Sequence, residues 1–243
     1  MNLCLFALTG FGNAIVAKLI ELGIVDDIMV FTRKEAGEFP YYECENLVVY
    51  CRKAGIDVVE GVNANSLEAY EIVKDWSPEM ILVGTFHQRI PKRIIEIPKI
   101  GAINIHPSLL PHYRGPTPTH WAIIHGEKET GITYHVLTEQ IDAGDILLKR
   151  AISIGGLVDG ELRRKLAGLA ADMLDPFLTM YMSGNLLGSP QKMDEGRYFP
   201  KVTSKEGVML LRSGGFPKES MQRGLTPYPG VTFLERCFDE FQK

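Results

Sequence analysis

The sequence predicts an α/β fold: a mostly parallel sheet flanked by helices, with a small C-terminal appendage. Three observations predict it. Short apolar runs alternate with amphipathic stretches through the first half, the pattern of parallel strands joined by helices. A glycine-bearing turn, Thr9-Gly10-Phe11-Gly12, separates the first apolar run from the first amphipathic one. The alternation ends near residue 190, where the polar stretch QKMDEGRYFPKVTSKEG begins.

Taken in order, residues 3–8 read as a buried first strand, 13–22 as a helix and Asp27–Thr32 as the second strand. A loop with Gly37 and Pro40 leads to a helix at 45–54 and a strand at Asp57–Glu60. The helix Leu67–Trp76 precedes a strongly apolar strand, Met80–Gly84; a short helix at 92–97 and a strand at 102–106 follow. Beyond that come a helix at 119–125, strands at 131–137 and 145–152, and a long helix, Asp159–Met182. The division expected is a Rossmann-like catalytic domain over 1–189 and a small extension over 190–243. A tail of that size builds no secure core alone, so it is expected to dock on the main body.

Of the 243 residues, 45% are hydrophobic and 23% charged, the balance of a globular protein with a real core. The net charge of −4 supplies no global basic field, which argues against a nucleic-acid partner. Cys4, Cys44, Cys51 and Cys237 are scattered without a CxxC pair, so neither a disulfide framework nor a cysteine metal site is indicated and a reducing cytoplasm is the expected home. The N-terminal apolar run lacks a basic leader and is too short to span a bilayer, so no membrane is expected.

The glycine turn could hold an anion at a helix N-terminus. It lacks the third glycine of a dinucleotide fingerprint, having Ile15 there, and the second strand ends in Thr32-Arg33 rather than in an acidic residue. An NADP-binding oxidoreductase is therefore an alternative of a different class, with a structural turn glycine the plainer account.

The stretch INIHPSLLPHYRG carries more chemistry. Asn104 and His106 are two apart on a strand, so both side chains point to one face at its carboxyl end, where open α/β sheets bind ligands. Four prolines, Pro107, Pro111, Pro116 and Pro118, stiffen the loop around Arg114-Gly115. Farther on, Asp142 follows an apolar strand in the turn Asp142-Ala143-Gly144-Asp145. The plain account is a glycine turn between strands; the alternative is that Asp142 reaches back to orient His106. An amide donor, an imidazole and an orienting carboxylate suit acyl transfer through a tetrahedral intermediate. The remaining histidines suggest no metal site: His120 and His125 share no helix face well, and His87, His112 and His135 read as isolated.

Taken in fixed order, several segments resemble the core of the folate-dependent formyltransferases. They are Asn104-Ile105-His106-Pro107-Ser108-Leu109-Leu110-Pro111, Tyr113-Arg114-Gly115, Pro118, Trp121-Ala122-Ile123, Gly126, Glu129-Thr130-Gly131-Ile132-Thr133 and Asp142-Ala143-Gly144-Asp145-Ile146. That family includes methionyl-tRNA, glycinamide ribonucleotide and sugar N-formyltransferases, and the resemblance covers residues 80–148. It implies transfer of a formyl group from 10-formyltetrahydrofolate, as co-substrate and without a metal, to an amine. Asn104, His106 and Asp142 would be the catalytic trio. The folate would lie between Phe86, His87, Gln88, Arg89 and Ile90 on one side and the loop bearing Thr138, Ile141 and Gly144 on the other.

The acceptor is expected from the tail. Residues 196–207 resemble the corresponding segment of sugar N-formyltransferases, and Pro40-Tyr41-Tyr42 is similar to that subgroup. The resemblance implies a nucleotide-linked amino sugar, such as a dTDP-4-amino-4,6-dideoxy sugar, and a homodimer. Arg114, Gly115, Tyr198 and Lys201 are the candidates for acceptor contact, ordinary solvated surface being the plainer account of the side chains. The alternatives within the family are methionyl-tRNA or glycinamide ribonucleotide. The tRNA enzymes carry a basic domain after this core, of which TPYPGVTFL looks like the beginning.

Overall fold

The computed structural model describes residues 1–34, 42–230, 232, 233, 235 and 236. Gly37, Pro40 and Tyr41 of the early loop and Cys237 and Phe238 of the last segment lie outside the described residues.

One seven-stranded sheet organises the chain, in the order β3-β2-β1-β4-β5-β6-β7. The strands are β1 (Asn2–Ala7), β2 (Asp27–Thr32), β3 (Asp57–Glu60), β4 (Met80–Gly84), β5 (Gly101–His106), β6 (Glu129–Val136) and β7 (Ile146–Ser153). Pairing is parallel from β3 through β5 and antiparallel for β5–β6 and β6–β7. The chain winds outward from β1 to β3, then returns to place β4 on the other side of β1.

Strand alternation sorts the core. Leu3, Leu5 and Ala7 face α1 (Phe11–Leu22) and α6 (Asp159–Met182), and with Leu82, Ile103, Ile105 and Phe177 they form the larger apolar cluster. Cys4, Phe6, Ile81 and Val83 point the other way, toward Ala69 and Val73 of α3 (Leu67–Trp76) and Ile94 of α4 (Lys92–Ile95). The helix α2 (Leu47–Lys53) begins on Asn46, whose side chain accepts the N–H groups of Val48 and Val49.

Several boundaries differ from the expected ones. Helix α1 starts at Phe11 rather than at residue 13, because Gly10 turns the chain at φ 96° and Asn13 Oδ1 accepts the Gly10 N–H at 2.8 Å. Residue 13 closes the first turn instead of opening it. Strand β6 begins at Glu129 because its pairing with β7 runs back to Glu129 opposite Ser153.

The tail docks on the main body through a core of its own. Helix α5 (Pro118–Ile124) presents Trp121 and Ile124 to Phe199, to Leu211 of α7 (Lys205–Ser213), to Met221 of α8 (Lys218–Gly224) and to Leu225. Trp121 also donates its indole N–H to the Pro200 carbonyl at 2.7 Å. Also on α5, His120 joins buried Asp159 and Arg163: Arg163 Nε donates to Asp159 Oδ2 at 2.6 Å, and His120 Nδ1 lies 3.2 Å from Asp159 Oδ1. Burial alone would raise the Asp159 pKa, but the Arg163 guanidinium and His120 override it and hold the carboxyl at about 2. Among the described residues no helix is long and apolar enough to cross a membrane.

Candidate functional site

Strand pairing places the polar cluster. Asn104 and His106 end β5, and antiparallel β6 sets His135 opposite Asn104 and Thr133 opposite His106. Directly opposed residues share a face and lie within side-chain reach. Thr133 Oγ1 donates to the Ser108 carbonyl at 2.7 Å and accepts the Leu110 N–H at 3.1 Å, which ties down the proline loop that follows His106.

Asp142 arrives from the loop between β6 and β7 with φ 50°, a left-handed conformation that costs a non-glycine residue free energy. That turn aims its carboxylate back at β5. Asp142 Oδ1 lies 3.3 Å from Asn104 Nδ2, 3.5 Å from His106 Nδ1 and 3.8 Å from His135 Nε2. Asp142 Oδ2 accepts the Gly115 N–H at 2.8 Å. The sheet and two loops thus bring Asn104, His106 and Asp142 together.

Hydrogen-bond accounting fixes the orientations. A carboxylate only accepts, so Asn104 directs its NH2 toward Asp142. The second amide hydrogen goes to His135 Nε2 at 2.9 Å, so that nitrogen is an acceptor. The other ring nitrogen, His135 Nδ1, then donates to the Val136 carbonyl at 2.9 Å. This requires a neutral imidazole. Burial enforces one, lowering the His135 pKa to about 4 despite the nearby Asp142. His106 Nε2 meets the Tyr113 carbonyl at 3.0 Å and therefore carries a hydrogen. The contacts at 3.3 and 3.5 Å around Asp142 Oδ1 are the loose ones.

His135 reads as isolated in the sequence, and the structure corrects that: it is the direct partner of Asn104. The signal was the period-two pair Thr133 and His135, which becomes informative only once β6 is known to run antiparallel to β5.

The candidate folate residues divide. Thr138 and Gly144 line a cavity of about 510 Å³, with Val136, Glu139, Gln140, Ala143 and Asp145; Ile141 is not among its lining. Gly144 suits its place, since a Cβ there would lie 1.9 Å from the Val136 carbonyl oxygen. None of residues 86–90 lines this cavity. The Ile90 side chain is buried, at 6% exposed, and packs with Ile94 in the core. Phe86 meets Phe6 edge-on, Gln88 Oε1 accepts the Ala64 N–H, His87 contacts Gln88, and the Arg89 carbonyl accepts from Asn65.

The acceptor candidates fall on the tail contact. Arg114 pairs as in a β-bridge with Tyr198: Arg114 N donates to the Arg197 carbonyl and Phe199 N to the Arg114 carbonyl. The Arg114 guanidinium turns toward Met193 Sδ and the Gly196 carbonyl rather than into open solvent. Gly115, at φ 115°, lies against the Phe199 carbonyl; Tyr198 is 47% exposed and Lys201 is exposed. The glycine turn after β1 is covered, because a Cβ on Gly10 would meet the Tyr42 ring at 2.2 Å. The close backbone approach that a dinucleotide pyrophosphate needs is closed there. Among the described residues no group of His, Cys, Asp and Glu is arranged to hold a metal ion.

The class so defined is an α/β protein with an amide, an imidazole and a carboxylate converging at the end of a central strand. The chain belongs to the formyl transferase family, whose description matches residues 11–167. It is 41% identical over 173 residues to a methionyl-tRNA formyltransferase of Caldanaerobacter subterraneus, covering 70% of this chain and 56% of that protein. The chain thus spans little more than half the length of that relative. Its fold matches the X-ray structure of a sugar N-formyltransferase from a Shewanella species, with a TM-score of 0.66, 18% identity, and coverage of 92% of this chain and 87% of that one. It also matches an N-formyltransferase from Helicobacter canadensis in complex with folinic acid and dTDP-3-aminofucose, with a TM-score of 0.67 and 16% identity, over 91% of this chain and 79% of that one.

Proposed function

We propose that this chain transfers the formyl group of 10-formyltetrahydrofolate to the amine of a nucleotide-linked amino sugar. One observation carries the reaction: Asn104, His106 and Asp142 converge at the carboxyl end of β5 in a chain of the formyl transferase family. A neutral amine attacks the formyl carbon, and charge develops on the formyl oxygen. Asn104 is placed to donate to it through the amide hydrogen held loosely by Asp142, and His106 through its Nε2–H, in exchange for the Tyr113 carbonyl. Preorganised donors of this kind are each worth about 3–4 kcal/mol of transition-state stabilisation. Asp142 orients both donors and takes up the proton that the attacking nitrogen loses. The C–N bond to the folate nitrogen then breaks, and that nitrogen receives the proton held by Asp142, leaving tetrahydrofolate, the N-formyl product and a regenerated carboxylate. Thr138 and Gly144 belong to the wall along which the folate lies.

The acidic total supports a small acceptor over a polynucleotide. Arg114 and Gly115 shape the lip of the acceptor side, with Tyr198 and Lys201 at its edge. A second reading, methionyl-tRNA as acceptor, is favoured by the name of the Caldanaerobacter relative and its 41% identity. Incubation with 10-formyltetrahydrofolate and a panel of dTDP-, UDP- and GDP-amino sugars, glycinamide ribonucleotide and charged initiator tRNA decides between them. Formylation of an amino sugar is the expected result. Formylation of tRNA alone replaces the acceptor, and formylation of nothing overturns the reaction.

A further inference from the structure

We infer that Gln191, contributed by the tail, is a positioning residue for Asp142, and that the segment from Ser189 to Phe199 is part of the reaction centre rather than a surface appendage. The inference rests on the reaction proposed above. Ser189 pairs with Ile146, exchanging both backbone hydrogen bonds at 2.8 and 2.9 Å. This antiparallel bridge sets the register of the tail against the start of β7, and two residues later Gln191 lies over the turn that carries Asp142. Its side-chain NH2 donates to the carbonyls of both Asp142, at 2.9 Å, and Gly144, at 2.7 Å. One amide thus spans the turn on both sides of Ala143.

That turn needs holding. Asp142 sits at φ 50°, and its carboxylate reaches Asn104 and His106 only in that conformation. Gly115 N–H grips the carboxylate from one side, while Gln191 grips the backbone from the other. The orientation of the Gln191 amide is unambiguous, because both partners are carbonyl oxygens and only its nitrogen donates. Its Oε1 is buried with no hydrogen-bond partner, a cost accepted to keep the NH2 on the turn.

The segment continues as a strap. Gly196 passes so close to Pro111 that a Cβ would lie 2.0 Å from the Pro111 carbonyl oxygen, and residues 197 and 199 then pair with Arg114. Both loops that complete the polar cluster, the proline loop and the Asp142 turn, are therefore clamped by one stretch of tail.

The test compares Gln191→Met, which keeps the volume and removes both donors, with wild type in the full chain. The substrates are 10-formyltetrahydrofolate and dTDP-4-amino-4,6-dideoxyglucose, or initiator methionyl-tRNA if that is the acceptor formylated. Misplacing a catalytic group by about 1 Å can cost up to ~100-fold, so Gln191→Met is expected to lower kcat roughly tenfold or more with little change in KM. In an Asp142→Asn background the same substitution is expected to add almost nothing, since both changes act on one group. Exchange of the Gly115 amide proton, which is bonded to Asp142 Oδ2, should accelerate in Gln191→Met while amides of β1 and β4 stay protected. Multiplicative losses in the double variant, a pure KM effect, or an unchanged Gly115 amide would each overturn the inference. If Asp142→Asn kept full activity while the Gly115 amide still exchanged faster, the positioning would stand and the reaction proposed above would fall.

Discussion

His135 Nε2 lies 2.9 Å from the side-chain nitrogen of Asn104, directly across the β5–β6 pair. A buried, neutral imidazole accepts one hydrogen of the amide and leaves the other facing Asp142. The ring thereby fixes the end of the Asn104 amide that faces Asp142. His135→Leu is expected to free the amide to rotate and to lower kcat on the order of ten- to a hundredfold, less than outright loss of a donor. Steady-state kinetics at saturating folate, with circular dichroism to confirm folding, measures this. Undiminished kcat would show that Asn104 needs no such guide.

Removing the donors themselves should cost more. Asn104→Ala is expected to reduce turnover by about a hundred- to a thousandfold and His106→Asn by at least about tenfold. Neither should unfold the chain, because both side chains face the cluster and not the apolar core. Full activity in either variant would disprove the assigned chemistry.

The buried His135 also sets a pH dependence of stability. Its folded pKa, about 4, is below the ordinary 6.5, so the unfolded chain binds its proton first as pH falls. Stability from this residue is complete above about pH 6.5, declines as pH drops toward 4, and is lost by at most about 3 kcal/mol below that. Urea unfolding of wild type and His135→Gln at roughly pH 7.5, 5.5 and 3.5, values that bracket the window, should show the two curves converging as pH falls. A constant gap across the series would refute it.

The tail contact has an energetic signature as well. Phe199 stacks on Tyr113 at 5.1 Å and on Trp121 at 5.5 Å between centroids. Truncating a buried phenylalanine typically costs about 3–5 kcal/mol, so Phe199→Ala should lower the unfolding midpoint markedly. Chemical denaturation followed by tryptophan fluorescence reports it through Trp121. Loss of less than about 1 kcal/mol would mean that the tail is not cooperative with the body.

Gly115→Ala probes the same junction from the other side. A Cβ there would sit 2.2 Å from the Phe199 carbonyl at a φ of 115°, so the bridge to residue 199 must open. Loss of both tail protection in hydrogen exchange and formyl transfer is expected. Retained protection at Phe199 N–H would contradict that geometry.

The parallel half of the sheet was legible because its central strands β1 and β4 are apolar runs bounded by turn residues, as Met80–Gly84 shows. Asn104 and His106 could be placed on one face by periodicity alone. His135 and Gln191 were not legible, and for one reason. Their importance depends on antiparallel register and on the path of a tail, both set by pairings between residues far apart in the chain. The inward packing of Ile90 against Ile94 was not legible either, because the residue lies in a loop after a strand.

The strap from Ser189 to Phe199 makes completion of the centre a late event in the life of each molecule. During synthesis, Asn104, His106 and Asp142 leave the ribosome well before Gln191 does. Until Gln191 follows and docks, the Asp142 turn lacks its backbone clamp. On the reaction proposed above, competence then ripens only as the strap arrives.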